Sequence, residues 1–253
     1  MIVALAALFV LGVVVGSFVG VVAHRIPQGE TIVTGRSRCD SCGETIAAYD
    51  NVPLVSWIVL RGRCRHCGER IPAAYPLVEL ALGVLFALTY LVLGDDPAQL
   101  ALGLVLLSVL AAITITDLEH TIIPNAILIA GAAICLAIAI PTDPEGLPER
   151  LIAALAAGGV LLLVALAYPR GMGMGDVKLA ALLGLFLGRA VVPALLVGFA
   201  VGALYGLALM ARHGAGARKR AVPFGPFLAL GGVVGLLAGD EMVDWYLDSF
   251  FEG

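Results

Sequence analysis

Residues 98–124 read A-Q-L-A-L-G-L-V-L-L-S-V-L-A-A-I-T-I-T-D-L-E-H-T-I-I-P. From Ala98 to Thr116 there is no charge. As an α-helix, a run of that length crosses the ~30 Å hydrocarbon core of a bilayer. The run ends on Asp117, and Pro124 fixes the start of the next helix. A carboxylate at the inner end of a lipid-spanning helix is costly and is a functional candidate by default. One stretch therefore speaks to both the fold and the chemistry.

Working outward, seven further apolar runs are marked off by charges, Pro and Gly. They are Ile2–Val22, Leu77–Leu93, Asn125–Ile140, Leu151–Tyr168, Val177–Leu187, Val191–Ala211 and Phe224–Ala238. The expected fold is all-α and polytopic, with about eight transmembrane helices. The run at Val177–Leu187 is short for a span. The first run has no basic region ahead of it and is too long for a signal-peptide core, so it reads as a retained helix. Composition agrees. Of the 253 residues 60% are hydrophobic and 13% charged, against about 45–50% and 25% in soluble domains. That excludes a soluble globule, a disordered chain and a coiled coil. A net charge of −4 argues against a nucleic-acid binder.

Orientation follows from Lys and Arg. With the N-terminus outside, the inner segments are 23–76, 117–124, 169–176 and 212–223. Of 15 basic residues, only Arg150 and Arg189 then fall outside. The inner set includes Arg170, Lys178, Arg218, Lys219 and Arg220. The outer segments are acidic, with Asp95, Asp96, Asp143, Glu145, Glu149, Asp240, Asp244 and Glu252. Both termini are expected outside. The expected division is a first helix at 1–22, a cytosolic domain at 23–76 and a seven-helix membrane domain at 77–253.

A cytosolic domain of that size is marginal without a staple, and a staple is visible. Residues 38–46 read R-C-D-S-C-G-E-T-I and residues 63–71 read R-C-R-H-C-G-E-R-I. Each half is a Cys-x2-Cys knuckle followed by Gly43 or Gly68, which can adopt the left-handed turn. Cys39, Cys42, Cys64 and Cys67 make a closed tetrahedral set of structural type, zinc-ribbon-like. Zinc is the first choice, and iron takes the same spacing. His66 lies inside a knuckle whose ligand shell is already complete. Cys135 sits alone in a membrane run and reads as a small buried hydrophobe.

Asp176 opens the short run, in G-M-G-M-G-D-V-K. On this topology Asp117 and Asp176 end on the same side of the membrane and can meet. Two carboxylates sharing a water can do acid–base work on a peptide bond. The ionised one deprotonates water while the protonated one polarises the carbonyl. Gly171, Gly173 and Gly175 leave room for a substrate backbone. Lys178 can snorkel or neutralise Asp176. Glu79, just inside the second run, is a third intramembrane carboxylate, whose plainest role is a buried hydrogen-bonding partner.

The ordered motifs resemble the type IV prepilin peptidases, a branch of the G-x-G-D intramembrane aspartyl proteases. G-S-F at 16–18, H-R-I-P at 24–27, the two knuckles, N-V-P-L-V-S-W at 51–57 and Y-P-L-V-E-L at 75–80 follow in family order. So do D-L-E-H-T-I-I-P at 117–124, the block ending in Asp176, and P-F-G-P-F-L-A-L-G at 223–231. The resemblance implies Asp117 and Asp176 as the catalytic pair, with Gly173, Gly175 and Lys178 in the supporting loop. It implies the four cysteines as metal ligands. It implies an aspartic endopeptidase of the prokaryotic inner membrane that removes the basic leader of prepilins or pseudopilins on the cytosolic side of a Gly. It also implies methylation of the new N-terminus from S-adenosylmethionine, with Glu79 a weak candidate for that site. The membrane lipid and the pilin-type substrates are the implied partners; the oligomeric state is not indicated. The competing reading is an ion- or proton-coupled transporter using Asp117 and Asp176 as ion sites. A non-catalytic membrane scaffold carrying a zinc module is the third reading. Loss of the leader from a prepilin separates the three.

Overall fold

The computed structural model describes residues 1–32, 36–39, 41–168, 171–213 and 222–251. Arg170, Arg218, Lys219, Arg220 and Glu252 lie outside the described residues. Among those described the chain is helical, without extended strands: α1 (Ile2–Arg25), α2 (Val55–Val59), α3 (Ala74–Leu93), α4 (Pro97–His120), α5 (Asn125–Thr142), α6 (Leu147–Ala167), α7 (Met174–Leu187), α8 (Val191–His213) and α9 (Gly225–Phe251). Two compact units divide at 91/92, Met1–Leu91 and Val92–Gly253.

The first unit is a helical hairpin with the cysteine segment as its loop. Gly12, Gly16 and Gly20 recur every fourth residue and so share one face of α1. A Cβ on Gly12 would lie 2.5 Å from the Leu82 carbonyl oxygen, and one on Gly16 2.7 Å from the Glu79 Cα. The two backbones therefore meet where side chains are absent. This is the close approach that small residues permit between helices in lipid. The order of contacts, 12 with 82, 16 with 79 and 20 with Tyr75, makes α1 and α3 antiparallel.

Between them lies the small domain. Ser56 is buried, accepts the Val52 N–H and donates to the Tyr49 carbonyl, both at 3.0 Å. Arg65 grips Asp50 through two hydrogen bonds of 2.7 and 2.6 Å. That guanidinium holds the Asp50 carboxyl below the usual carboxylate range.

In the second unit α4 opens on an Asp96 cap that accepts from the Ala98 and Gln99 N–H groups, with Pro97 at the first helical position. Helix α7 forms its centre: Val177, Leu179, Ala180 and Leu182–Phe186 are all buried. It packs antiparallel on α6, where Gly184 meets Ala153 and Gly158 meets Ala181. At its far end Arg150 is buried. It donates to the Phe186 carbonyl and to Gln99 Oε1, and lies 3.6 Å from Asp143. Arg189 likewise pairs with Asp240 and Asp244. The two basic residues expected outside thus sit among acidic partners at one end of the bundle.

Seven stretches among the described residues are long and apolar enough to cross a membrane. Eight were expected. The difference lies at Met174–Arg212, a continuous apolar stretch of 39 residues. As one straight helix it would run about 58 Å, twice a bilayer core. It is folded back instead. Gly188 takes φ +56°, and a single 3-10 turn follows at Gly188–Ala190. Leu183 and Leu187 of α7 meet Gly232 and Gly235 of α9, so these two helices run the same way. Gly239 and Gly235 of α9 meet Ala190, just ahead of α8, and Ala194 within it, while Phe224, just ahead of α9, meets Gly202 of α8, so α8 runs the opposite way. Helix α7 is consequently a separate helix of only 14 residues, about 21 Å long.

Candidate active site and metal centre

Asp117 lies in the last turn of α4 and is buried. Its Oδ2 accepts the Gly225 N–H at 2.7 Å. Gly225 is the first residue of α9, so the carboxylate caps a helix N-terminus, where exposed N–H groups favour an anion. A Cβ on Gly225 would stand 2.7 Å from that same oxygen, so only glycine admits the contact. Asp117 also closes its own helix: its carbonyl accepts the Thr121 N–H, and Thr121 holds φ +54°. The chain turns there and Ile123 follows.

Asp176 lies in the first turn of α7. Its Oδ2 accepts the Gly173 N–H at 3.1 Å, while its own N–H donates to the Gly173 carbonyl at 3.2 Å. The side chain thereby fixes the entry to its helix, which begins at Met174, three residues before the apolar run. Helices α4 and α7 touch. Asp117 and Asp176, expected to meet, lie at the same end of the second unit. Gly175 packs on Ile123, at 3.0 Å for an added Cβ, which ties the start of α7 to the turn after α4.

The three glycines differ in what they permit. Gly171 makes room for the Tyr168 ring and Gly175 for Ile123. Only at Gly173 would a Cβ meet nothing nearer than Asp176 itself, at 3.4 Å, so this is where an outside backbone can approach. Lys178 donates from Nζ to Asn125 Oδ1 at 2.9 Å. Among the described residues no ion pair joins it to Asp176. Glu119 is exposed beside His120. Gly225 drew no role from the sequence, although it sits within the P-F-G-P-F block. The signal available was a glycine at a helix start, which is too common to single out.

Glu79 is in the first unit. It is buried, and its Oε2 accepts the Leu54 N–H at 2.7 Å. Leu54 takes φ +59°, an uncommon conformation for such a side chain. The carboxylate thus holds the loop ahead of α2 against α3.

The four thiols converge. The Sγ atoms of Cys39, Cys42, Cys64 and Cys67 all lie within 4.8 Å of one another. Cys39 and Cys67 stand 3.8 Å apart. That is nearly twice a disulfide length, and it is the sulfur–sulfur edge of a tetrahedron with metal–sulfur bonds of about 2.3 Å. The halves repeat in hydrogen bonding as in sequence. The Cys39 N–H donates to Glu44 and the Gly43 N–H to Cys39; the Cys64 N–H donates to Glu69 and the Gly68 N–H to Cys64. Gly43 and Gly68 take φ +71° and +73°. Backbone N–H groups of Cys67 and His66 hold the Cys64 thiol down at about 6. Those N–H groups favour the thiolate, the form that ligates. The cluster can bind a metal ion. Cys135 is elsewhere, buried against the Leu185 carbonyl.

Comparison with known proteins follows the same division. Residues 10–93 match the bacterial peptidase A24 N-terminal domain, and residues 104–207 match the type IV leader peptidase family. A prepilin leader peptidase/N-methyltransferase of Aeromonas hydrophila is 34% identical, the match covering 96% of this chain and 93% of that protein. One from Bacillus subtilis is 32% identical over 96% and 98%. One from Myxococcus xanthus is 40% identical over 82% of this chain, which spans 63% of that relative's length. No solved structure matches. With seven apolar helical stretches, this multi-pass membrane protein belongs to the type IV leader peptidase family.

Proposed function

We propose that the protein is a membrane aspartic endopeptidase that removes the basic leader from type IV prepilins or pseudopilins at the cytosolic membrane face. The observation that carries this reading is the buried Asp117 carboxylate held by the Gly225 N–H, with Asp176 at the same end of the bundle. One carboxylate, ionised, takes a proton from water. The other, protonated, donates to the scissile carbonyl oxygen as the water oxygen bonds to the carbonyl carbon; on collapse the C–N bond breaks, the first carboxyl gives its proton to the leaving amine, and the diol hydroxyl returns a proton to the second carboxylate. The Gly225 and Gly173 N–H groups fix one oxygen of each aspartate, leaving the other for water or substrate. Gly173, Gly175 and Lys178 form the supporting loop. We divide the chain into an anchor helix at 1–22, a metal-holding domain at 23–76 and a catalytic domain at 77–253. Zinc, or iron, is the ion for Cys39, Cys42, Cys64 and Cys67. The names of the relatives support N-methylation of the new N-terminus, for which S-adenosylmethionine is the donor we propose. The hydrogen bond to Leu54 favours a holding role for Glu79 over a part in methylation.

The direct test is incubation of the purified protein with a prepilin. Loss of the leader is expected, and an intact substrate beside a folded protein would favour ion transport or a scaffold. Gly225→Ala is expected to insert normally and to lower kcat roughly 10²-fold, because displacing a catalytic group by about 1 Å costs that much. Unchanged kcat would show that the contact does not position Asp117.

Orientation is tested separately. With α7 and α8 as two crossings the termini share a side, and the distribution of Lys and Arg supports the reading that both are outside, with Asp117, Asp176 and the cysteines inside. Alkaline phosphatase fused at the C-terminus or after Asp143 should be active, and after Thr121 inactive. Inactivity at the C-terminus would remove one crossing.

A further inference from the structure

We propose that α2 and its flanks form an interfacial membrane anchor, seated in the headgroup layer of an anionic leaflet on the cysteine domain's side. The starting point is a face that the protein does not cover. Val55, Ile58 and Val59 are spaced i, i+3, i+4 and so share one side of α2. They are 56%, 67% and 67% exposed. Ser56, between them, is buried and carries the hydrogen bonds that fix the turn. Helix α2 is thus polar and satisfied inward, and apolar outward, the reverse of a helix on a soluble domain.

Its height relative to the bilayer is set by a second contact. The Leu54 N–H, just ahead of α2, is bonded to Glu79. Glu79 lies five residues into α3, about 7.5 Å along the helix, and α3 is one of the candidate spans. The loop is therefore held beside the first turns of a membrane helix rather than out in water. The exit from α2 is fastened in the same region. Trp57 Nε1 donates to the Ile71 carbonyl at 3.2 Å, and the Ile71 N–H donates to the Gly62 carbonyl at 2.8 Å. Residue 71 stands just before α3. An apolar face held at that height meets the boundary of headgroups and acyl chains.

Charge identifies the lipid. Arg61 and Arg63 follow α2, and a bridge across the second knuckle brings Arg70 beside Arg63; all three are exposed. A short apolar face bordered by arginines matches an interfacial segment on anionic lipid, where buried apolar area and attraction to headgroups add. Arg61 takes φ +52° and Gly62 φ +66°. This tight turn is braced against the Trp57 ring, so the basic residues leave α2 in a fixed direction.

The test uses a photoreactive benzoylphenylalanine at Ile58, and separately at Val55, in the full chain. The protein is reconstituted in vesicles of phosphatidylethanolamine and phosphatidylglycerol. Val84, an exposed position within α3, serves as the lipid reference, and Glu44 as the water-facing reference. Irradiation should give lipid adducts at 58 and 55 at yields near that of Val84, and none at Glu44. In phosphatidylcholine vesicles the yield at 58 should fall while that at Val84 holds. Absence of lipid adducts at both α2 positions, with Val84 reacting, would overturn the proposal. So would adducts to an added prepilin in place of lipid, which would make this face a substrate surface.

Discussion

Asp117→Asn and Asp176→Asn are each expected to lower leader cleavage by roughly 10²–10⁴-fold while the protein still inserts and folds. Positioned acid–base groups contribute on that scale, and one carboxylate cannot serve as both base and acid. The exchange keeps size and a hydrogen-bond acceptor. The Gly225 N–H can still donate to the amide oxygen at position 117, and the Gly173 N–H to that at 176. The fold therefore keeps its contacts while the proton chemistry is lost, so the variants report on chemistry. Glu119→Gln should have a small effect, since Glu119 is exposed. The measurement is the rate of leader loss from a prepilin, with thermal unfolding in detergent as the check on folding. Cleavage near the wild-type rate by a folded Asp176→Asn protein would remove Asp176 from the mechanism.

Cys64→Ser should have the second-largest effect, on the small domain rather than on the helices. Structural zinc contributes about 10–16 kcal/mol of apparent binding free energy in small zinc peptides near pH 7. The segment between α1 and α3 has little buried apolar surface to replace it. Cys64 is one of the four sulfurs that converge within 4.8 Å, so its loss leaves the ligand shell incomplete. Metal analysis should find zinc or iron in the wild-type protein and a deficit in the variant. Limited proteolysis should then cut between 39 and 71 while the membrane helices stay whole. A metal-free wild-type protein whose four thiols alkylate freely under native conditions would refute the site.

The apolar runs were legible because lipid demands long uncharged helices, and Asp117 and Asp176 stood out because charge in such runs is rare. The cysteine repeat was legible for a similar reason: a metal's geometry is written in local spacing. What was not legible depends on contacts distant in sequence. The break between Val177–Leu187 and Val191–Ala211 was legible, but not that Gly188 makes it by taking φ +56°. Gly225 meets Asp117 across 108 residues. The stripe at Gly12, Gly16 and Gly20 is regular in the sequence. Its partner, the backbone of α3, is not. Glu79 read most plainly as a buried hydrogen-bonding partner, but that its partner is the Leu54 N–H, 25 residues away, was not legible.

That glycine-lined contact between α1 and α3 bears on modularity. A hairpin whose legs touch from 12/82 to 20/75 brings the entry and exit of its loop to neighbouring points. A domain with adjacent ends behaves as an insertion, and insertions of this kind can be lengthened, exchanged or removed without redirecting the chain on either side. The cysteine domain is thus built as a cassette. Its evolution can proceed apart from that of the bundle bearing the aspartates, and a chimera carrying a relative's loop between Ile26 and Ala73 should insert and fold as this chain does.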